Sequence, residues 1–297
     1  MTWRIVGAFA LGVMVGMVVL DQARTYLDRQ AAARVERDQR DAAERAEREW
    51  RETATPAERE QRDARQRLFD ELRPVALRTC RLERFGEPHD GGYLMCANLL
   101  GAAQSGYSYG ISGYDKWGCD ISIRRSIPVH QYDCFDVTRP ACPSGVTIFH
   151  EECVGPTGKT EEGRLFDTIA GQIAKNGDSG KTIVLKIDVE GAEWDSFAAT
   201  PDDVLQRIDQ LAVEFHLVQD AKFLDVVRRL KRFFHVAHVH FNNNSCQDDL
   251  QPFPAWAYEA LFVNKRLDTV DPTRSAAGLH PLDAPNNPKW VDCQPGK

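Results

Sequence analysis

Between Pro74 and Asp268, short apolar runs alternate with stretches whose apolar residues recur every three or four positions. Short apolar runs bounded by turn residues read as buried strands, and the three-to-four-residue recurrence reads as amphipathic helix. GYSYGISG (Gly106–Gly113) is the first strand and runs into a glycine turn; VHQYDCFDV (Val129–Val137) is the second, ending in Asp133 and Asp136; GVTIFHEECVG (Gly145–Gly155) is the third. Leu165, Phe166, Ile169 and Ile173 predict one helical face, closed by the turn NGDSG. KTIVLKID and QLAVEFHL (Gln210–Leu217) follow as the fourth and fifth strands, then a helix marked by Phe223, Val227, Leu230 and Phe234. HVAHVHF (His235–Phe241) and AWAYEALFVNK (Ala255–Lys265) are joined by a polar loop with no helical period, which predicts an antiparallel pair. Strands alternating with helices predict a mainly parallel sheet. The fold class is therefore α/β: a Rossmann-like, doubly wound sheet of seven strands closed by a carboxyl-terminal antiparallel hairpin. Ligands of such sheets sit outside the carboxyl ends of the strands.

Outside this core the pattern changes. Positions 21–73 are dominated by Arg, Glu, Asp, Ala and Gln, with opposite charges four apart, as in Glu44 with Arg48 and Glu47 with Arg51. That spacing supports a solvated helical stalk, and apolar residues are too scarce for a coiled coil. Behind a short tail at 1–4, Ile5–Leu20 is an uncharged apolar run. At roughly 1.5 Å per residue it falls slightly short of a bilayer core of about 30 Å, which a thinner membrane accommodates. It reads as an uncleaved signal-anchor, the alternative being a cleaved signal peptide, although the exit LDQARTYLD lacks an A-x-A site. Gly12 and Gly16 form a G-x-x-x-G, which allows a homodimer through the anchor. The domain assignment is thus 1–4 tail, 5–20 anchor, 21–73 stalk, 74–267 globular domain and 268–297 a Pro- and Asn-rich tail wrapping the surface, pinned through Cys293.

The formal net charge of −7, with no Lys/Arg block beside exposed aromatics, excludes a nucleic-acid partner. All eight cysteines lie beyond the anchor, and their even number suits disulfides in an oxidising lumen or extracytoplasmic space; eight reduced, buried thiols are the alternative. Cys80–Cys96 is the first expected pair, and the absence of C-x-x-C argues against a zinc ribbon.

The chemistry gathers at predicted strand ends. Gly110-Ile-Ser-Gly113 supplies the first turn, where the backbone approaches a ligand, but a full G-x-G-x-x-G is missing, which argues against NAD or FAD. Asp136 stands at the end of the second strand, where an acid holds ribose hydroxyls; a turn or cap residue would look the same. In TIVLKIDVEGAEW (Thr182–Trp194), Val184, Lys186, Asp188 and Glu190 share one side of an extended strand, so Asp188 emerges at its carboxyl edge. Glu193 falls near the following helix's amino terminus, which favours a carboxylate whatever the function.

These pieces resemble the FkbM-like, membrane-anchored S-adenosylmethionine-dependent methyltransferases. The resemblance rests on CRLERFGEPHDGGYLMC (Cys80–Cys96), YSYGISGYDKWGCD (Tyr107–Asp120), YDCFDVT (Tyr132–Thr138), VLKIDVEGAEW (Val184–Trp194) and VEFH (Val213–His216), and covers about 75–265. It implies S-adenosyl-L-methionine as cofactor, with Gly110 and Gly113 at its amino-acid end and Asp136 at its ribose. Asp120 matches an acidic family position, and Asp188 and Glu190 match the methyl-transfer edge. Ile111-Ser112 departs from the family's tighter glycine turn.

A hydroxyl acceptor, on a glycan or similar molecule, needs a general base. Asp188 and His216 are the candidates, a satisfied core histidine being the alternative for His216. No metal is assigned. A divalent cation on Asp188, Glu190 and His216 or His240 would also activate a hydroxyl, but the spacing does not demand it. Asp90-Gly91-Gly92-Tyr93 caps the pocket or is a plain turn, and the loop near His240 holds an N-x-S sequon at Asn243 and is expected to face substrate. The alternative to an anchored, lumen-facing enzyme is a catalytically silent glycan-binding or scaffold protein retaining the fold.

Overall fold

The computed structural model describes residues 24–293, apart from 25, 27, 36, 39, 43, 219 and 277. The expected anchor at 5–20 lies outside the described residues, and no helix among the described residues is long and apolar enough to cross a membrane. The chain falls into two compact units, 1–59 and 60–297. In the first, the described positions from 24 to 53 are helical, and the expected pairs form: Glu47 Oε1 lies 2.7 Å from Arg51 Nε and Glu44 Oε2 4.0 Å from Arg48 Nη1. Helix α1 (Pro56–Glu71) opens on a capping box, in which Thr55 N donates to Glu58 Oε2 at 2.7 Å and Glu58 N to Thr55 Oγ1 at 3.3 Å. The second unit's core begins before Pro74, because Leu68 and Leu72 are buried in it.

The second unit is built on β3 (Ser105–Tyr109), β4 (Pro128–Tyr132), β5 (Val146–His150), β9 (Ile183–Ile187), β10 (Ile208–His216), β11 (Phe234–Phe241) and β12 (Ala257–Asn264). They form one seven-stranded sheet in the order β11-β12-β10-β9-β3-β4-β5. β12 alone runs antiparallel to its neighbours β10 and β11, as the missing helix between the last two strands predicts. Strand order reverses between β3 and β9, which opens a crevice at their carboxyl ends.

Each face of the sheet carries its own apolar core. On one, Ile169 and Ile173 of α3 (Ile169–Lys175), Trp194 and Phe197 of α4 (Glu193–Ala199), Leu205 of α5 (Asp202–Arg207) and Phe223, Val227 and Leu230 of α6 (Ala221–Phe233) cover Leu185, Leu211, Val213 and Phe215. On the other, Trp117 and Ile121 of α2 (Lys116–Arg125) share the cover with a hairpin, β1 (Leu82–Gly86) and β2 (Gly92–Cys96), through Phe85, Tyr93 and Met95. The hairpin does the work of a helix, and Cys80–Cys96 staples it as expected.

Two helical readings change. Leu165 and Phe166 lie not on a helix but in β8 (Arg164–Asp167), which joins β7 (Lys159–Glu161) and β6 (Cys153–Val154) in a three-stranded sheet. A two-residue turn at Glu162–Gly163 folds β7 onto β8, and Thr168 then caps α3 by accepting from Gly171 N at 2.9 Å. Four residues are too few for a period to separate helix from strand. Phe234 likewise leaves α6 and opens β11.

Four disulfides, Cys80–Cys96, Cys119–Cys142, Cys134–Cys153 and Cys246–Cys293, account for all eight cysteines and indicate an oxidising, extracellular or lumenal environment. The last closes a separation of 47 residues and ties down the tail. Loop-closure entropy for that length is about 4 kcal/mol. Replacing Cys246 and Cys293 together with serine is expected to cost up to that amount in denaturant unfolding and to expose the tail to limited proteolysis.

The tail is also held by charge. His238 Nε2 lies 2.8 Å from Asp283 Oδ1, while buried His240 lies between Glu259 (3.6 Å) and Asp292 (3.4 Å). Burial alone would lower the pKa of His240, but Glu259, with Asp283 and Asp292, holds it up at about 9. A folded pKa above the unfolded one gives stability that is complete below pH 6.5 and is lost as pH rises through 9. The shift corresponds to roughly 3 kcal/mol. Melting temperatures measured from pH 6.5 to 9.5 should fall for the wild type and fall less for His240→Gln.

Candidate active site

Backbone hydrogen bonds tie three strand exits together. Gly110 N donates to Tyr132 O at 3.0 Å, and Asp188 N donates to Tyr109 O at 3.2 Å. Gly110 adopts φ +70°, and a Cβ there would stand 1.6 Å from the Asp188 carbonyl oxygen, so glycine alone permits this approach. Ser112 takes φ +45° in the expected turn, and its N–H donates to Asp133 Oδ2 at 2.8 Å. The other oxygen of Asp133 accepts from Phe135 N and Asp136 N. Thus a carboxylate braces the Ile111-Ser112 turn. Asp136 accepts from Thr138 N at 2.9 Å and packs against Gly113.

These exits surround a cavity of about 440 Å³. Tyr109 and Tyr132, with ring centroids 4.9 Å apart, line it together with Val154 and Phe166, and so do Gly110, Asp133, Asp136, Glu152, Asp188 and Glu190. Five carboxylates and no Lys, Arg or His side chain are in that lining. Glu152 is partly neutralised from outside by Lys175 Nζ at 3.3 Å.

At the β9 exit the chain turns through Glu190 (φ +54°) and Gly191 (φ +104°) into α4. The turn is held by Glu193, whose buried carboxylate accepts from Val189 N at 2.7 Å and Gly191 N at 3.0 Å. Trp194 Nε1 donates to the His216 carbonyl at 2.6 Å, which fixes the end of β10 against the same turn. The His216 ring then donates from Nδ1 to Glu193 Oε1 at 3.0 Å, with Nε2 3.4 Å from Glu190 Oε2 and 3.9 Å from Asp188 Oδ1. Burial opposes charge on this ring, but Glu193, Glu214 and Asp188 outweigh it and raise its pKa to about 9. His216 is thus an imidazolium at neutral pH and a poor general base in that state.

The other oxygen of Asp188 accepts from Tyr93 OH at 3.1 Å, with Lys186 Nζ 3.4 Å away. Lys186, although buried, is satisfied by the Gly110 and Tyr109 carbonyls at 2.9 and 3.3 Å. Beneath lies Glu214, which accepts from Asn242 Nδ2 at 2.7 Å. Burial, with the Asp188 and Glu259 charges, pushes Glu214 far above the usual carboxylate range. Burial and the same neighbours push Tyr93 upward, keeping its phenol a hydrogen-bond donor to Asp188.

The expected residues therefore divide. Gly110, Asp136, Asp188 and Glu190 line the cavity, and His216 stands at its rim. Gly113 supports Asp136 from behind. Asp120 is elsewhere: on α2 it accepts from Gly86 N and Lys116 Nζ, both at 2.9 Å, and anchors the hairpin. Glu190 leaves the face it was expected to share with Asp188 because its left-handed conformation breaks the alternation, and its side chain is 83% exposed. Asn243 faces the tail, not the cavity: it is 3% exposed and pairs with Asn287 through both ends of its amide, which closes the sequon to glycosylation in the folded state. Glu193, Tyr93 and Glu214 were missed as site residues. Only VEFH and DGGYLMC, read as blocks, pointed to the last two. No protein-family model, curated protein or solved structure matches the chain.

Proposed function

We propose that the chain is an S-adenosyl-L-methionine-dependent methyltransferase acting on a hydroxyl of a glycan or similar polyhydroxylated acceptor. The observation that carries this reading is the cavity's charge: five carboxylates and no basic side chain, at the point where strand order reverses. Nucleotide-like ligands sit at such points. A dinucleotide or nucleotide sugar brings phosphates, which this lining repels, whereas a sulfonium cofactor brings a positive charge, which it attracts. Bound there, the cofactor would supply an electrophilic methyl group. Tyr109, Tyr132, Val154 and Phe166 offer an apolar floor for a base, Asp136 an acceptor for ribose hydroxyls, and Gly110 the close backbone approach. Asp188, at the rim, is placed to orient the acceptor hydroxyl. Asp120 has no part in this arrangement. The disulfides fit a lumenal or extracellular domain, and the apolar run at 5–20 would tether it to a membrane.

Titration calorimetry of the full-length protein with S-adenosylmethionine tests the reading. Binding is expected, with Asp136→Ala weakening it about tenfold through loss of hydrogen bonds to a charged group. Absence of binding in the wild type would falsify the proposal. Binding without methyl transfer to any member of a mono- and oligosaccharide panel would favour the silent, glycan-binding alternative.

A further inference from the structure

We propose that the cavity rim holds a divalent transition-metal cation on His216 Nε2, Asp188 Oδ1 and the Glu190 carboxylate, with Glu193 locking the imidazole from behind. The site rests on geometry; its use in activating a hydroxyl rests on the methyltransferase reading above.

Among the described residues, Asp188, Glu193 and His216 form the group of three His, Cys, Asp or Glu residues whose ligand atoms all lie within 4.8 Å of one another. Within that group the hydrogen bonds assign the parts. Glu193 is saturated: its oxygens take the Val189 and Gly191 N–H groups and the His216 Nδ1–H. A fully buried carboxylate that holds one ring nitrogen aims the other, and this carboxylate–histidine arrangement is how metal-ligating imidazoles are oriented. His216 is 5% exposed, its Nε2 makes no hydrogen bond among the described residues, and a cation bound there takes the place of the Nε2 proton. It points at carboxylate oxygens 3.4 Å away on Glu190 and 3.9 Å away on Asp188. Two ligand atoms each about 2.1 Å from one ion can lie up to about 4.2 Å apart, so each carboxylate is within reach of an ion on Nε2, and the exposed Glu190 side chain swings in to complete the set.

The buried cluster around His240 lacks this convergence. His240 sends Nδ1 toward Glu259 and Nε2 toward Asp292, on opposite edges of its ring, and both positions serve the tail. One imidazole with two carboxylates suits Mn²⁺, Fe²⁺ or Zn²⁺ better than the all-oxygen preference of Mg²⁺ or Ca²⁺. An exposed third ligand, Glu190, leaves positions open to solvent or substrate. A hydroxyl placed there loses its proton to bulk water more readily. Its oxygen lone pair forms the bond to the methyl carbon, and the electrons of the broken sulfur–carbon bond return to sulfur, which becomes a neutral thioether.

The test is Mn²⁺ titration of the EDTA-treated full-length protein, followed by electron paramagnetic resonance of the free ion. One site per chain is expected, with nitrogen coupling from an imidazole in pulsed spectra. His216→Gln and Asp188→Asn should each weaken binding at least tenfold, Glu193→Gln by about 10–100-fold, and His240→Gln not at all. Glu190 is exposed, so Glu190→Gln keeps the fold and should still weaken binding. A wild type that takes up no stoichiometric Mn²⁺, or Mn²⁺ binding unchanged in Glu190→Gln and Asp188→Asn together, overturns the site. S-adenosylmethionine binding measured in EDTA is a separate readout. Its absence alongside intact Mn²⁺ binding would remove the methyltransferase reading and leave the cation site standing.

Discussion

On the proposed methyltransferase reading, Asp188→Asn is expected to cut methyl transfer by about 10²–10⁴-fold, the range associated with losing a positioned proton acceptor or its equivalent. The substitution preserves shape. Asparagine still offers an oxygen to Tyr93 OH, and Lys186 keeps its bonds to the Gly110 and Tyr109 carbonyls, so the fold should survive. What disappears is the charge at the rim, on the oxygen that faces His216 and the cavity mouth. Single-turnover rates at saturating cofactor separate this effect from that of Asp136→Ala, which should act on cofactor affinity. A wild-type rate in Asp188→Asn would take this residue out of the chemistry.

Gly110→Ala should be strongly damaging, costing at least about 3 kcal/mol in denaturant unfolding. Two penalties combine. An L-residue at φ +70° pays on the order of 1 kcal/mol for the left-handed backbone. The larger penalty is steric: the new Cβ meets the Asp188 carbonyl oxygen at 1.6 Å, and both partners are main chain, so no rotamer relieves the contact. Relief requires the β3 and β9 exits to separate, which would break the Asp188 N to Tyr109 O bond and move Asp188 itself. Stability equal to the wild type's in this variant would show that the turn is not built as described.

Much of the architecture was legible in local pattern. β9 and β10 are buried along their whole length because both faces of a central strand are covered, with Lys186, Asp209, Gln210, Glu214 and His216 interrupting their apolar runs, and the lack of helical period between the last two strands correctly implied their antiparallel pairing. Asp188 was placed at a strand's carboxyl edge by alternation alone, and Gly110 by the need for a tight turn. The pairing of Cys80 with Cys96 and the ion pairs of the charged helix also followed from the chain. The hairpin β1–β2 was harder to see, since its strands are short and its glycines read equally well as loop. β8 was hidden because four residues carry too little period.

Local pattern placed the β3 and β9 exits and the side chains they carry, because period and turn chemistry are local properties, but it ran β4 and β5 past their ends at Tyr132 and His150, to Val137 and Gly155. Only the tertiary structure decided which of those side chains meet. Glu193 looked like a helix-end acid until the fold set His216, from β10, against it; Tyr93 and Glu214 come from elements far apart in the chain yet converge on Asp188. Strand order brings such groups together, and strand order is set by the burial of two whole faces of a sheet, which no short window of sequence contains.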